Sequence, residues 1–198
     1  MKITNHLLED AAQHPIPGGA VMAIRRFLVI HHTAGATGQS SVDFWRRLGN
    51  GVCAHIVIER DGTILQCRPF NRTAGHAGSS AWTDPQTGTR YHGLNSCSIG
   101  IELANAGSSP GALQWAQRFP EHKFIRARHR NGGPELTWET YPAAQLAACQ
   151  TLAQALVRHY NLDDVIGHED CSPNRKTDPG PAFPMEGLRS ACGFPRAK

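Results

Sequence analysis

Short apolar runs that end in ionisable side chains are the feature of this sequence that most constrains its fold. Residues 27–30 form one such run and lead directly into His31 and His32, and residues 98–101 lead into Glu102. A third, shorter run at Val165 and Ile166 precedes His168 by two residues. Apolar runs of this length, bounded by turn signals, are typical of buried strands. The sequence therefore predicts a sheet whose strand ends carry histidines and a carboxylate.

A hairpin and helices complete the predicted α/β framework. Residues 54–65 contain two apolar segments that turn at an Asp-Gly pair, which is a strong hairpin signal. From Tyr141 to Tyr160 apolar residues recur at helical spacing. A shorter helix is expected after Ser41, which can cap it, with Gly49 at its end. We expect a single domain with a mixed central β-sheet flanked by α-helices, and a metal cleft at the strand ends.

The length and composition of the chain favour one folded domain spanning residues 1–198. Apolar residues make up 40% and charged residues 18% of the chain, which are ordinary values for a globular protein. The stretch from 104 to 137 is rich in glycine, proline and basic residues. It predicts a long surface loop or an insertion.

Charge and targeting signals narrow the classes of partner. The net charge of +4 would ease approach to an anionic polymer, but the basic run at 122–130 lacks interleaved aromatic residues, so no nucleic-acid partner is expected. The first 13 residues lack the pattern of a secretory signal, and no apolar run is long enough to enter a membrane. We expect a cytoplasmic monomer with mostly reduced cysteines. A phage lysin released by a holin is the alternative.

Three residues on separate segments have the chemistry of a catalytic metal site. His31, His168 and Asp178 offer two imidazoles and a carboxylate, and three such ligands leave a fourth position for water. Cys171 lies three residues after His168 and offers an alternative thiolate ligand. Because the chain has 11 histidines, residue type alone leaves a chance arrangement open.

Four ordered motifs together resemble the type 2 N-acetylmuramoyl-L-alanine amidases. They are Val29–Gly35, Ala54–Thr63, Ser98–Leu103 and Gly167–Pro181. The resemblance extends from about residue 25 to about residue 183, the expected catalytic core. The family includes muropeptide-recycling amidases, phage lysozymes and peptidoglycan recognition proteins, and this chain is most similar to the recycling branch.

The resemblance implies a zinc enzyme that cleaves the amide between the muramic acid lactyl group and L-alanine. It implies that Zn²⁺ is held by His31, His168 and Asp178, and that Lys176 stabilises the oxyanion formed during attack. Phage lysozymes carry a tyrosine where this chain has Ala54. Glu102 matches the glutamate of the recycling branch and is the expected proton carrier.

Other residues have weaker predicted roles. His76 resembles a family histidine that borders the cleft, although Gly75 stands in place of an aromatic residue, and Arg175 could pair with a carboxylate of the stem peptide. His55 is expected to support the metal site by a hydrogen bond. The alternatives without a catalytic or binding role are a surface salt bridge for Glu102 and an exposed loop position for Lys176 or Arg175.

Two other classes of function remain open at this stage. A recognition module of the same fold would bind muropeptide without cleaving it, and a structural or basic-surface binding protein would make the proposed ligands coincidental. The resemblance to amidases implies peptidoglycan or a muropeptide as the binding partner. Intact cell wall and soluble anhydro-muropeptide both remain possible substrates.

Overall fold

A six-stranded mixed sheet forms the centre of the molecule in the computed structural model, which describes residues 1–194. The last four residues of the expected 1–198 domain lie outside that range. The strands are β1 (Ile3–Thr4), β2 (Leu7–Leu8), β3 (Ala12–Gln13), β4 (Phe27–His32), β5 (Ile56–Ile58), β6 (Ile64–Gln66), β7 (Ala81–Thr83), β8 (Arg90–His92), β9 (Ser98–Leu103), β10 (Phe124–Arg128), β11 (Glu135–Glu139) and β12 (Asp164–Gly167). The helices are α1 (Gly38–Leu48), α2 (Pro110–Ala116), α3 (Ala143–Tyr160), α4 (His168–Cys171) and α5 (Met185–Ala191).

The central sheet has the strand order β12-β4-β9-β5-β6-β3. Strands β12, β4, β9 and β5 run parallel to one another, and β5 and β6 form the antiparallel hairpin predicted from the Asp-Gly turn. Parallel neighbours place their carboxyl ends at the same edge of the sheet. The residues that end β4, β9 and β12 therefore meet at that edge.

Alternation along the strands divides the core into two layers. In β4, Leu28 and Ile30 belong to the cluster that includes Leu152 and Leu156 of α3. Val29 and Phe27 face the opposite layer, where they pack with Ala77 and Cys171. Because successive side chains on a strand point to opposite faces, His31 lies on the face of Val29, and His32 lies on the face of α3. This difference places His31, and not His32, together with His168 and Asp178.

The first long helix starts earlier than the sequence predicts. Thr37, not Ser41, is the N-cap: its side chain accepts the Ser40 amide at 3.0 Å, and Ser40 Oγ accepts the Thr37 amide at 3.3 Å. This reciprocal pair satisfies two amides that have no partner inside the helix. Ser41 instead donates its hydroxyl to Thr37 O. Gly49 ends the helix in the left-handed region, as expected.

Residues 104–137 are not simply a long surface loop. They contain α2, and β10 pairs in register with β11 to form an antiparallel hairpin apart from the central sheet. Gly132 and Gly133, both with φ near +95°, allow the chain to reverse between these strands. At its other end the segment is deeply buried, since Ala104, Asn105 and Ala106 are each at most 1% exposed. Whether it is an insertion relative to other proteins stays a prediction.

A membrane-spanning helix is not among the elements found. Within residues 1–194, none of the helices combines the length and the apolar character needed to cross a bilayer.

Candidate metal centre and its cleft

The three predicted ligands converge at the carboxyl edge of the parallel strands. His31 is the second-to-last residue of β4, His168 follows β12 directly, and Asp178 comes from the loop after α4. The Nδ1 atoms of His31 and His168 are 2.9 Å apart, and Asp178 Oδ2 lies 3.0 Å and 2.9 Å from them. All three side chains are buried. Residues up to 147 positions apart are thus brought to one point.

The donor set fits a small divalent cation such as zinc. Two imidazole nitrogens and one carboxylate oxygen form a typical set for catalytic zinc, and Zn–N and Zn–O bonds of about 2.1 Å place tetrahedral ligands about 3.3 Å apart. The observed separations of 2.9–3.0 Å need only a small expansion to reach that value.

The protonation states of His31 and Asp178 also fit a metal site. Burial, reinforced by repulsion from His168, lowers the pKa of His31 to about 4, so the ring keeps a free lone pair at neutral pH. Burial opposes ionisation of Asp178, but its close contacts with the His168 and His31 rings hold its pKa well below the ordinary range. The site therefore presents a carboxylate at Asp178 and a neutral imidazole at His31, which are ligand forms that a metal requires.

Cys171 is not placed to act as the alternative ligand. Its thiol is buried and donates to His168 O at 3.5 Å. Burial also raises the pKa of this thiol to about 12. The group of side chains that could share one metal ion contains His31, His168 and Asp178 and does not include Cys171.

The far nitrogen of each histidine ligand has a defined partner. His31 Nε2 lies 2.9 Å from His76 Nδ1, and His168 Nε2 lies 3.1 Å from the carbonyl oxygen of Ala77. Metal-ligating histidines commonly donate this second N–H, which fixes the ring orientation and the tautomer. One short segment, His76-Ala77, therefore orients both imidazoles.

His76 lies beneath the cleft against the central sheet. A Cβ atom on Gly100 would come within 2.6 Å of the His76 ring, so glycine at this position makes room for the imidazole. Asn95 Oδ1 accepts the amides of His76 and Ala77 at 3.1 Å and 2.7 Å. Asn95 had no assigned role from the sequence, because its contacts depend on chain segments far apart. The substrate role of His76 stays a prediction.

Glu102 lies beside His31, its register partner across β4 and β9. Burial, followed by repulsion from the Asp178 carboxylate, raises the pKa of Glu102 to about 8, although Lys176 opposes the change. Its Oε2 atom is buried and has no hydrogen-bond partner within the described part of the chain. A buried oxygen without a partner at the wall of a cleft is available to a water or a substrate.

Both predicted cationic residues, Lys176 and Arg175, line the same cleft as Glu102. Arg175 donates to the carbonyl oxygens of Ala77 at 2.8 Å and Ser79 at 3.0 Å. Its guanidinium therefore holds the loop that carries Ala77, while the residue as a whole is exposed. The predicted contact of Arg175 with substrate stays a prediction.

His55 is a structural residue one step away from the ligands. Its Nδ1 accepts the Gly100 amide at 3.0 Å, so Nε2 carries the proton and donates to Arg72 O at 2.8 Å. Burial lowers the pKa of His55 to about 4. It thus supports the strand under His76 and does not contact the ligand atoms.

The cleft that contains these groups has a volume of about 390 Å³. Its lining includes the three candidate ligands, Glu102 and Lys176, together with the apolar side chains of Trp45 and Val52. Apolar side chains combined with a few convergent polar groups are typical of a small-ligand site. This arrangement can polarise a carbonyl, deprotonate a water and hold an apolar part of a substrate.

Comparison with known proteins gives a consistent result. A family model described as N-acetylmuramoyl-L-alanine amidase matches residues 21–181. The 1,6-anhydro-N-acetylmuramyl-L-alanine amidase AmpD of Enterobacter cloacae is 32% identical over 135 residues, which cover 66% of this chain and 51% of that protein. The chain thus matches about half the length of this curated relative.

Two solved structures share the fold along most of the chain. The N-acetylmuramyl-L-alanine amidase AmiD from E. coli, in complex with the substrate anhydro-N-acetylmuramic acid-L-Ala-D-gamma-Glu-L-Lys, has a TM-score of 0.64 and 28% identity, covering 91% of this chain and 62% of AmiD. AmpDh3 from Pseudomonas aeruginosa, in complex with anhydromuramic pentapeptide, has a TM-score of 0.63 and 26% identity, covering 90% of this chain and 62% of AmpDh3. The fold class expected from the sequence is confirmed.

Proposed function

Because the chain belongs to the N-acetylmuramoyl-L-alanine amidase family, we propose that it hydrolyses the amide between the muramic acid lactyl group and L-alanine in a zinc-dependent reaction. The observation that carries this proposal is the convergence of His31, His168 and Asp178 within hydrogen-bond distance of one another, beside the unpartnered carboxyl oxygen of Glu102. A ligand set and a free acid–base group in one cleft are the minimum that amide hydrolysis needs.

His31, His168 and Asp178 would hold the zinc ion. When bound, zinc supplies a Lewis acid that polarises the carbonyl and lowers the pKa of a coordinated water. His76 and the Ala77 carbonyl keep the two imidazoles in the orientation that turns their Nδ1 atoms toward Asp178 Oδ2. The ligands are therefore positioned before substrate binds.

Glu102 carries the proton through the reaction. Its carboxylate accepts a proton from the attacking water as the water oxygen bonds to the carbonyl carbon. The C–N bond then breaks, and Glu102 returns the proton to the departing nitrogen of L-alanine. The products are a lactyl carboxylate and a free amine. The pKa of Glu102, about 8 before a cation is added, suits a group that both accepts and donates a proton near neutral pH.

Lys176 supplies positive charge to the carbonyl oxygen as it becomes negative. It lines the cleft with Glu102 and Asp178, so its ammonium group can reach the reacting carbonyl from the open side. Charge placed where negative charge develops stabilises the transition state more than the ground state. We expect it to act on kcat more than on KM.

The substrate is a muropeptide or peptidoglycan. Support comes from the AmiD and AmpDh3 complexes, which contain anhydro-muropeptide ligands. The cleft of about 390 Å³ accommodates the lactyl group and the first residues of a stem peptide.

Digestion of both substrate types tests the proposal. Purified protein is incubated with sacculi and with soluble anhydro-muropeptide, with and without chelator, and mass spectrometry detects new lactyl carboxylates and L-alanine amino termini. Glu102→Ala should keep zinc and lose most turnover, whereas His168→Ala should lose zinc as well. Full zinc without any cleavage would favour a recognition module, and a protein that binds no stoichiometric zinc would refute the enzyme assignment.

A further inference from the structure

The tip of the β10–β11 hairpin lies directly on α4, the short helix that begins with the proposed ligand His168. Three consecutive hairpin residues contact Glu169, the neighbour of His168. His129 Nε2 lies 2.6 Å from Glu169 Oε2, Arg130 Nη2 lies 2.9 Å from Oε1, and Asn131 Nδ2 donates to Glu169 O at 3.0 Å. Both carboxylate oxygens and the carbonyl of one residue are therefore held by a segment 38 to 40 positions away.

Glu169 in turn holds both sides of the ligand Asp178. Its amide donates to Asp178 O at 2.8 Å, and its Oε2 accepts the Gly180 amide at 3.1 Å. These two bonds flank the peptide that joins Asp178 to Pro179. Glu169 is only 4% exposed, and charge-assisted hydrogen bonds with little access to water are strong and directional. The position of Asp178 thus depends on where the Glu169 carboxylate points.

His129 is built to aim that carboxylate. Its Nδ1 accepts the Asn131 amide at 3.1 Å, so Nε2 carries the ring proton and donates it to Glu169 Oε2. The imidazole is 6% exposed and packs against Trp138, with ring centroids 5.9 Å apart. The Trp138 ring also lies so close to Gly180 that a Cβ there would be 2.6 Å away. The ring of His129 is therefore fixed in place and orientation.

We propose that His129 is a positioning residue for the metal centre: it orients Glu169, which sets the place of Asp178 and so the affinity of the site for its cation. The proposal rests on the proposed function, since it takes His31, His168 and Asp178 as the ligands. It gives the 104–137 segment a role at the site, although none of its residues contacts a ligand atom in the described structure.

The expected effect follows from the behaviour of groups that orient metal ligands. Removing such a group commonly weakens metal binding by about 10- to 100-fold. His129→Ala should show a loss in that range, because Glu169 Oε2 keeps the Gly180 amide but loses its fixed orientation. His129→Gln should recover much of the affinity, since the glutamine amide can donate to Glu169 from nearly the same place as Nε2.

A matched control lies on the same hairpin. Arg126 is exposed and pairs with Glu135 across the two strands, so Arg126→Ala removes a hairpin contact that does not reach Glu169. The wild type and the three variants are compared in zinc competition against a chromophoric chelator. The visible spectrum of the Co²⁺-substituted proteins reports the ligand geometry directly, and circular dichroism confirms that each variant is folded.

Retention of wild-type zinc affinity and an unchanged Co²⁺ spectrum in His129→Ala would overturn the proposal, as would an equal loss in Arg126→Ala. Hydrogen exchange of the metal-free proteins separates this result from failure of the proposed function. In His129→Ala, amides within residues 168–182 should exchange faster than in the wild type, whether or not zinc binds. If the wild type binds no zinc, the proposed function fails, and so does the role of His129 in metal affinity. Faster exchange in His129→Ala would still show that the contact with Glu169 orders residues 168–182.

Discussion

Replacing Glu102 with glutamine tests the electrostatic state of the cleft by its effect on stability. Burial raises the pKa of this carboxyl from 4.5 to about 8 in the folded protein. Between those values the folded state binds a proton that the unfolded state has released, so stability decreases as the pH rises through this window. At about 1.4 kcal/mol per pH unit, the loss reaches about 5 kcal/mol above pH 8. This figure is an upper bound, because water that enters the cleft screens the charge.

The assay compares the free energy of unfolding of metal-free wild type and Glu102→Gln at pH 5 and pH 9. Glutamine has nearly the same shape and no charge, so the two proteins should be similarly stable at pH 5. At pH 9 the variant should be more stable by several kcal/mol. Denaturant titration followed by tryptophan fluorescence gives both values, and the wild-type-minus-variant difference cancels other groups that titrate in both proteins.

Three further measurements complete the test. Glu135→Gln, an exposed hairpin position, should change stability by the same small amount at both pH values. Saturating zinc should reduce the pH dependence of the Glu102 difference, because a nearby dication favours the carboxylate. Glu102→Gln should also lower turnover by about 10²- to 10⁴-fold. A wild-type-minus-variant difference that changes by less than about 0.5 kcal/mol between pH 5 and pH 9 would refute the reasoning about burial, and undiminished turnover would refute the assignment as base.

Three other predictions concern stabilisation of the oxyanion, a glycine with no room for a side chain, and the metal. Lys176→Met should lower kcat by about 10²- to 10³-fold with KM and zinc content unchanged; a parallel loss of zinc in metal analysis would instead assign the lysine a structural role. Gly107→Ala should destabilise by about 2 kcal/mol or more in denaturant unfolding, because φ is +58° and the added Cβ would lie 2.3 Å from the His32 ring. Gly111→Ala, in α2 with nothing within 4 Å, is its control and should be neutral or stabilising by up to about 1 kcal/mol. Removing zinc with a chelator should lower the melting temperature, and restoring it at about 100 times Kd should return about 2.7 kcal/mol; a melting temperature that responds to neither step would contradict the metal site.

Local patterns predicted the secondary structure around the site well. The segment Ser98–Leu103 is a strand with the bounds inferred from its apolar pattern, and the long helix ends at Tyr160 as expected. The N-cap predicted for α1 was wrong because threonine and serine are both residue types that cap helices. Only the reciprocal hydrogen bonds between Thr37 and Ser40 decide between Thr37 and Ser41. The hairpin within 104–137 was missed because its basic, glycine-rich composition masks the strand pattern.

The candidate site was predicted in part. The four motifs implied His31, His168 and Asp178 as ligands, and the structure brings these three side chains together. Their supports could not be inferred in the same way. The contacts of His76 with His31, of Asn95 with the His76 amide and of His129 with Glu169 join segments 19 to 45 positions apart. Nothing in the local pattern around any of these residues signals its partner.

What the sequence by itself determined is the set of residues that share a face. Alternation along a strand is a local property of the backbone, so it puts His31 and His32 on opposite faces of the sheet, and it places Glu102 on the same side as Gly100. What only the tertiary structure decided is the distance between groups on different segments. His31 and His168 are 137 positions apart, and they meet because β4 and β12 pair in parallel and end at the same edge of the sheet. That pairing, like the contact of the hairpin tip with Glu169, depends on packing across the whole chain.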